Sequence, residues 1–94
     1  MPPQKGRPLT SPADAPEDED ELFVYKVKAI LREERLSRQI DFRQLEAVSG
    51  VSHGYLALAE RSNVQPTLLV FHRWAKGLGV SLDEIIARAS GKGA

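Results

Sequence analysis

Cysteine is absent from this sequence of 94 residues, which also contains one methionine, one tryptophan and only 6% aromatic residues. The chain therefore forms no disulfide, which is typical of a reducing compartment. No apolar run approaches the roughly 20 residues of a membrane-spanning helix, and there is no signal-peptide core. We expect one small domain in the cytoplasm, with no membrane partner.

The formal net charge of zero conceals an uneven distribution. Residues 1–25 contain two basic and six acidic side chains, a net charge of −4, whereas residues 26–94 contain 11 basic and 7 acidic side chains, a net charge of +4. A basic domain with an acidic leader suits a nucleic-acid binder whose leader tempers non-specific attraction. A leader that only keeps the chain soluble explains the same pattern.

The leader is predicted to be disordered. Five of the first 16 residues are proline and almost none are apolar, so this stretch cannot bury enough surface to order itself. The acidic run at 17–21 favours a helix start, because carboxylates oppose the positive end of the helix dipole. We assign 1–19 to a disordered Pro-rich and acidic tail, 20–90 to the folded domain and 91–94 to a frayed end.

The first helix is predicted to run from Asp18 or Asp20 to Arg35 or Leu36. Apolar residues at helical spacing form its core stripe: Phe23, Val27, Ile30 and Leu31. Basic residues on its other side are expected to be solvated: Lys26, Lys28, Arg32 and Arg35.

A short second helix is predicted to begin after Asp41, which has the spacing of a capping box with Gln44. Leu45 and Val48 are expected to share its buried face. Gly50 stands where a helix ends with positive φ.

A third helix follows this turn. Val51 is expected to fill the angle between the two helices, and Ser52 is a good N-cap. Leu56 and Ala59 lie three residues apart and point inward. Two helices this short do not fold alone, so the rest of the chain must form a scaffold for them.

Two more helices are predicted to complete the scaffold. The fourth begins at Pro66 or Thr67 and ends at Gly79, and the fifth begins at Ser81 with a second capping box to Glu84. Their residues expected to face the core are Leu68, Phe71, Trp74, Ala75 and Leu78, then Leu82, Ile85, Ile86 and Ala89. With no strand predicted, the fold class is all-α, and every glycine is interpreted as a helix stop or part of a tail.

Two segments resemble the Cro and phage-repressor type of helix-turn-helix protein, also called the xenobiotic-response-element family: GVSHGYLALAER and NVQPTLLVFHRWAKGLGVSLDEII. The resemblance covers about residues 24–89 and is most specific in the second segment. It implies a compact five-helix, lambda-repressor-like domain that binds double-stranded DNA. The function that follows is a sequence-specific transcriptional regulator.

The connection between the first two helices departs from the family. Residues 35–41, RLSRQID, are longer than the very tight turn that is usual there. They either form an exposed connection that Leu36 and Ile40 anchor to the core, or they lengthen the first helix by a turn.

The outward face of the third helix carries the predicted reading residues. With Leu56 and Ala59 inward, the residues assigned to the interface are His53, Gly54, Tyr55, Ala57, Leu58 and Arg61. In the family this face enters the major groove, where most matching positions are polar. Here Ala57 or Leu58 suits a thymine methyl, and Gly54 allows a close approach.

Phosphate contacts are assigned around this face. Ser52 begins a helix whose N–H groups can hold a phosphate. By resemblance, the residues along the DNA backbone are Arg43, Gln44, Arg61 and Asn63. Phe42 replaces a common glutamine and Glu46 a common alanine, and the Glu46 carboxylate would repel a phosphate.

Some apolar residues lie where the domain does not need to bury them. Leu58, Leu69 and Val70 are predicted to be exposed and to offer a patch to a partner. A homodimer is one such partner, through this patch or through the fifth helix. The alternative function is a protein-interaction module on the same fold, antitoxin-like or a complex-assembly subunit, with weak or no DNA recognition.

Groups suited to catalysis are scarce. His53 and His72 are the two histidines, and His72 is expected to be a half-buried structural residue. Asp83 and Glu84 are better explained as helix-start residues, and no ligands have metal-site spacing. We expect no enzyme activity, metal or cofactor.

Overall fold

The computed structural model describes residues 15–91, which form five α-helices. These are α1 (Glu19–Ser37), α2 (Phe42–Ser49), α3 (His53–Arg61), α4 (Leu68–Leu78) and α5 (Leu82–Ala89). Within that range there is no strand, so the all-α, five-helix prediction is confirmed. Most of the predicted disordered tail and of the predicted frayed end lies outside the described residues, and both stay predictions.

The helix boundaries follow the local chemistry of the sequence. Each N-cap side chain accepts a hydrogen bond from a backbone N–H three residues on, at Asp18, Asp41, Ser52, Thr67 and Ser81. Both halves of the capping box form between Asp41 and Gln44. Gly50 and Gly79 end α2 and α4, as predicted, and their φ values are 78° and 81°. The positive φ was predicted for Gly50.

The core lies between all five helices. α1 packs on α5, and α2 packs on both α3 and α4. Trp74 is fully buried, with its ring nearly parallel to that of Phe71. The other buried apolar residues are Val27, Leu31, Leu45, Val51, Leu56, Ala59, Ala75, Leu78, Ile85 and Ala89.

The longer connection between α1 and α2 combines parts of both alternatives, a slightly longer α1 and a connection of four residues that Ile40 anchors to the core. The helix runs to Ser37, and the chain then reverses at Gln39, whose φ is 54°. Ile40 packs against the core and its N–H bonds to the carbonyl of Arg35. Leu36 is exposed, so its predicted anchoring role is wrong.

The buried face of α2 is rotated from the predicted one. Val48 is 63% exposed and Ser49 is buried, because Leu45 and Ser49 face α4 at a spacing of four residues. α2 approaches α4 so closely that a Cβ on Gly77 would lie 3.0 Å from the Cβ of Ser49. Gly77 therefore stands inside a helix because of this close approach, and its interpretation as a stop or a tail residue is wrong.

The α4 predictions need three corrections. Leu68 was expected in the core but lies in the first turn with 71% exposure. Val70 was expected to be exposed but is half-buried and packs against the core. His72 is exposed rather than half-buried.

In α1, Phe23 lies at the edge of the core stripe and is partly exposed.

Candidate nucleic-acid interface

α3 presents the predicted face outward. Leu56 and Ala59 are fully buried, whereas Gly54 and Arg61 are exposed. The remaining predicted reading residues are half-buried: His53, Tyr55, Ala57 and Leu58. Tyr55 also packs against the core, so part of its side chain supports α3 rather than facing solvent.

An ion pair with α1 holds the C-terminal half of α3. The Glu60 side chain is 4% exposed and receives two hydrogen bonds from Arg35, of 2.8 Å from Nε and 2.7 Å from Nη2. The Glu60 carboxylate, chiefly through these bonds, raises the pKa of Arg35 above its usual value. The prediction that Arg35 is solvated is wrong, because its partner is on another helix.

Arg35 also fixes the start of α2. Its Nη1 donates to the Ile40 carbonyl at 2.9 Å, and its guanidinium lies 4.1 Å from the centre of the Phe42 ring. Such a cation–π contact favours an aromatic residue at this position. Phe42 thus replaces the glutamine common in the family with a platform for the arginine that holds α3.

Lys28 holds the loop that follows α3. It is 4% exposed, although it was predicted to be solvated, and its ammonium donates to the carbonyls of Ser62 at 2.6 Å and Val64 at 2.8 Å. Asn63, a predicted phosphate contact, lies between the two residues whose carbonyls are held. Only the position of Lys28, beside Val27 and three residues before Leu31, could have indicated its burial.

Burial lowers the pKa of Lys28 from 10.5 to about 8. Between those two values the unfolded chain binds this proton and the folded chain releases it, so stability rises with pH in this window. Both carbonyl bonds survive, because a neutral amine keeps two N–H groups. We expect urea unfolding of Lys28→Met to show a flatter dependence on pH from about 8 to 10.5; equal slopes would contradict the assignment.

Glu46 and His53 form a pair across the turn between α2 and α3. Oε1 of Glu46 lies 2.6 Å from Nδ1 of His53 and accepts the His53 backbone N–H at 3.2 Å. The hydrogen bond from the imidazole is the main cause that holds the pKa of Glu46 below its usual value. Nothing in a separation of seven residues indicates from sequence that the two side chains meet.

The N-terminus of α3 is already partly occupied by acceptors. The Ser52 hydroxyl accepts the Tyr55 N–H at 3.2 Å, and Glu46 accepts the His53 N–H. Ser52 is thus the cap that the sequence predicts. A phosphate at this helix end would meet the Gly54 N–H beside the Glu46 carboxylate, a less favourable site than an open helix terminus.

The predicted phosphate-contacting side chains are exposed on three neighbouring segments. Arg43 and Gln44 lie in the first turn of α2, Arg61 ends α3, and Asn63 lies in the next loop. The side-chain oxygen of Gln44 accepts a hydrogen bond in the capping box, so its side-chain NH₂ is the group left to donate to a phosphate. All four remain predictions as DNA contacts.

Residues 15–91 contain no group of three or more His, Cys, Asp or Glu side chains that could hold a metal ion. None of the helices described there is both long and apolar enough to cross a membrane.

Two short helices joined by a tight turn, with the second one also packed on α1 and its outer face open to solvent, have the arrangement of a helix-turn-helix motif. Residues 29–85 match the family model described as Helix-turn-helix. The chain belongs to the Cro and phage-repressor type of this family, whose members are DNA-binding regulators and not typically enzymes. Neither the curated proteins nor the solved structures include a match.

Proposed function

We propose that this protein is a sequence-specific transcriptional regulator that docks α3 in the major groove of DNA and acts in the cytoplasm. The observation that carries the proposal is the contrast between the two faces of α3. Leu56 and Ala59 are fully buried, whereas Gly54 and Arg61 are open to solvent. A helix offered in this way has the shape that the major groove admits.

The way in which α3 is held supports the same proposal. Arg35 grips Glu60 near the C-terminal end, Lys28 holds the next loop, and Ser52 caps the N-terminal end. Base readout requires side chains at fixed positions, which a rigidly supported helix provides.

Binding to a duplex of random sequence at two salt concentrations tests the proposal. We expect binding at low salt that weakens steeply as salt is added, with a slope of about −0.9 for each phosphate neutralised. A chain that does not bind duplex DNA even at low salt would overturn it.

Arg61→Ala is expected to weaken binding to all duplex sequences alike and to reduce the salt slope by about 1, because a phosphate contact carries no sequence information. Fluorescence anisotropy at several salt concentrations measures both quantities. Lys26→Ala, which removes an exposed charge from α1, is the control. An equal loss in the two variants would show a response to net charge alone.

A protein-interaction module is the second candidate, favoured by an exposed apolar pair. Leu68 and Leu69 at the start of α4 are 71% and 55% exposed. The Glu46 carboxylate at the start of α3 also opposes phosphate binding. Two results together would support this candidate. The protein would fail to bind DNA at low salt, and light scattering would show a stable assembly that Leu68→Ser disrupts.

A homodimer is the assembly that we propose for the DNA-binding form. Two copies related by a two-fold axis would place their α3 helices about 34 Å apart, one turn of DNA. Sedimentation of the protein with and without duplex measures the stoichiometry.

A further inference from the structure

One oxygen of Glu46 receives two donors from the same residue. The backbone N–H and the ring Nδ1 of His53 both approach Oε1, at 3.2 Å and 2.6 Å. Two bonds to a single acceptor fix the orientation of the imidazole relative to α3. The pair thus restrains the ring while it leaves 43% of the His53 side chain exposed.

The chemistry of the carboxylate decides which ring nitrogen has the proton. The pKa of Glu46 is held below its usual value, first by the hydrogen bond from His53 and also by the nearby charge of Arg43, so the group is ionised at neutral pH. An ionised carboxylate only accepts hydrogen bonds, so Nδ1 must be the donor. In a neutral imidazole the other nitrogen, Nε2, is then an acceptor.

Three of the outward positions next to His53 have no side-chain donor or acceptor: Gly54, Ala57 and Leu58. Tyr55, the other polar residue assigned to this part of α3, is half-buried and packs against the core. With 43% of the His53 side chain exposed, Nε2 is the side-chain atom that we take to face a base edge here. Its polarity sets what that edge must supply.

Resting on the proposed function, we infer that Glu46 is a positioning residue that makes His53 a hydrogen-bond acceptor and so selects bases with an exocyclic amino group. In the major groove those donors are N6 of adenine and N4 of cytosine, whereas guanine N7 and O6 and thymine O4 are acceptors that repel Nε2. In an adenine–thymine pair the thymine methyl would also suit Leu58.

The tautomer can be measured without DNA. Nitrogen NMR of ¹⁵N-histidine-labelled protein at about pH 8.5, above the interval in which histidines usually change charge, reports which ring nitrogen is protonated. We expect the His53 proton on Nδ1 in the wild type and in Glu46→Gln, whose amide oxygen accepts the same two bonds. In Glu46→Ala we expect a mixture of tautomers. A wild-type proton on Nε2 would overturn the inference.

Base selection is tested by enrichment from a pool of randomised duplexes at the same pH. The wild type should enrich adenine or cytosine at one position by about threefold to tenfold, the range for one hydrogen bond. Glu46→Gln should keep this preference and bind all duplexes more tightly, because it removes a negative charge. Glu46→Ala should also bind all duplexes more tightly, but it should lose the base preference. His53→Ala should lose the base preference as well.

Glu33→Gln on α1 is the matched control, since it removes one exposed negative charge without touching His53. It should keep the preference. If the wild type binds no duplex at low salt, the proposed function fails. If it binds but shows no preference, prefers guanine or thymine, or keeps its preference in Glu46→Ala, the function stands and this inference fails.

Discussion

Replacing Arg35 with methionine is expected to lower the free energy of unfolding by about 3–5 kcal/mol, as for other buried ion pairs that lose one partner. The Glu60 carboxylate, whose side chain is 4% exposed, would lose both of its short hydrogen bonds inside the protein. The Ile40 carbonyl would lose its donor as well. Urea unfolding followed by circular dichroism measures the loss.

Two companion variants separate the causes. Arg32 lies 3.5 Å from the same carboxylate but is 59% exposed, so Arg32→Met should cost less than about 1 kcal/mol. The double variant Arg35→Met with Glu60→Met leaves no unpaired buried charge, since Arg32 is solvated, and should recover most of the loss. Equal losses for the two arginines, or no recovery in the double variant, would show that the pair is not the source of stability.

The same pair links stability to the interface. Glu60 precedes Arg61, the predicted phosphate contact, and Arg35 is also stacked on Phe42 beside Arg43. The predicted phosphate contacts at the start of α2 and at the end of α3 therefore both lie next to residues that Arg35 of α1 holds in place. Changes at Arg35 should weaken DNA binding even where enough of the protein stays folded to be measured.

Features that depend on neighbours in the chain could be predicted from sequence. The caps at Asp41 and Ser52 and the positive φ at Gly50 and Gly79 follow from hydrogen bonding and sterics within a few residues. The inward face of α3 follows from helical periodicity. These local rules were sufficient to predict that all five helices form.

Burial of charge could not be predicted in the same way. Lys28 is bound by backbone carbonyls 34 and 36 residues away, and every residue has such a carbonyl. Arg35 is bound by a carboxylate 25 residues away. Periodicity places both side chains on the flank of the stripe of α1 next to Leu31, and only the packed fold shows that α3 and its following loop cover that flank.

Both residues that depart from the family pattern, Phe42 and Glu46, contact a specific side chain in the structure. Phe42 stacks under Arg35, and Glu46 binds His53. Each unusual residue is thus matched by a second side chain elsewhere in the chain. From sequence alone, Phe42 and Glu46 indicated only lost contacts to DNA; in the structure one supports α3 and the other orients the residue proposed to read bases.

Gly77→Ala is expected to destabilise the domain by about 1–2 kcal/mol, although alanine is the better helix former. The helix gain is about 0.5–1 kcal/mol, and overpacking costs about 1–3 kcal/mol. The new Cβ would lie 3.0 Å from the Cβ of Ser49, 3.1 Å from Leu45 and 3.2 Å from Val48. The exposed Val48 side chain can turn away, but a Cβ moves only with its backbone, so α2 itself must shift from α4.

Gly54→Ala is the matched control for this substitution. A Cβ at Gly54 meets nothing within 4 Å, and its φ is not in the left-handed region, so only the helix gain remains. Thermal unfolding should therefore move in opposite directions in the two variants, by about 4–8 °C for each kcal/mol in a domain of this size. A rise for Gly77→Ala equal to that for Gly54→Ala would mean that α2 yields easily. Because α2 contacts both α4 and α3, the position of α3 would then be held less rigidly than these contacts imply.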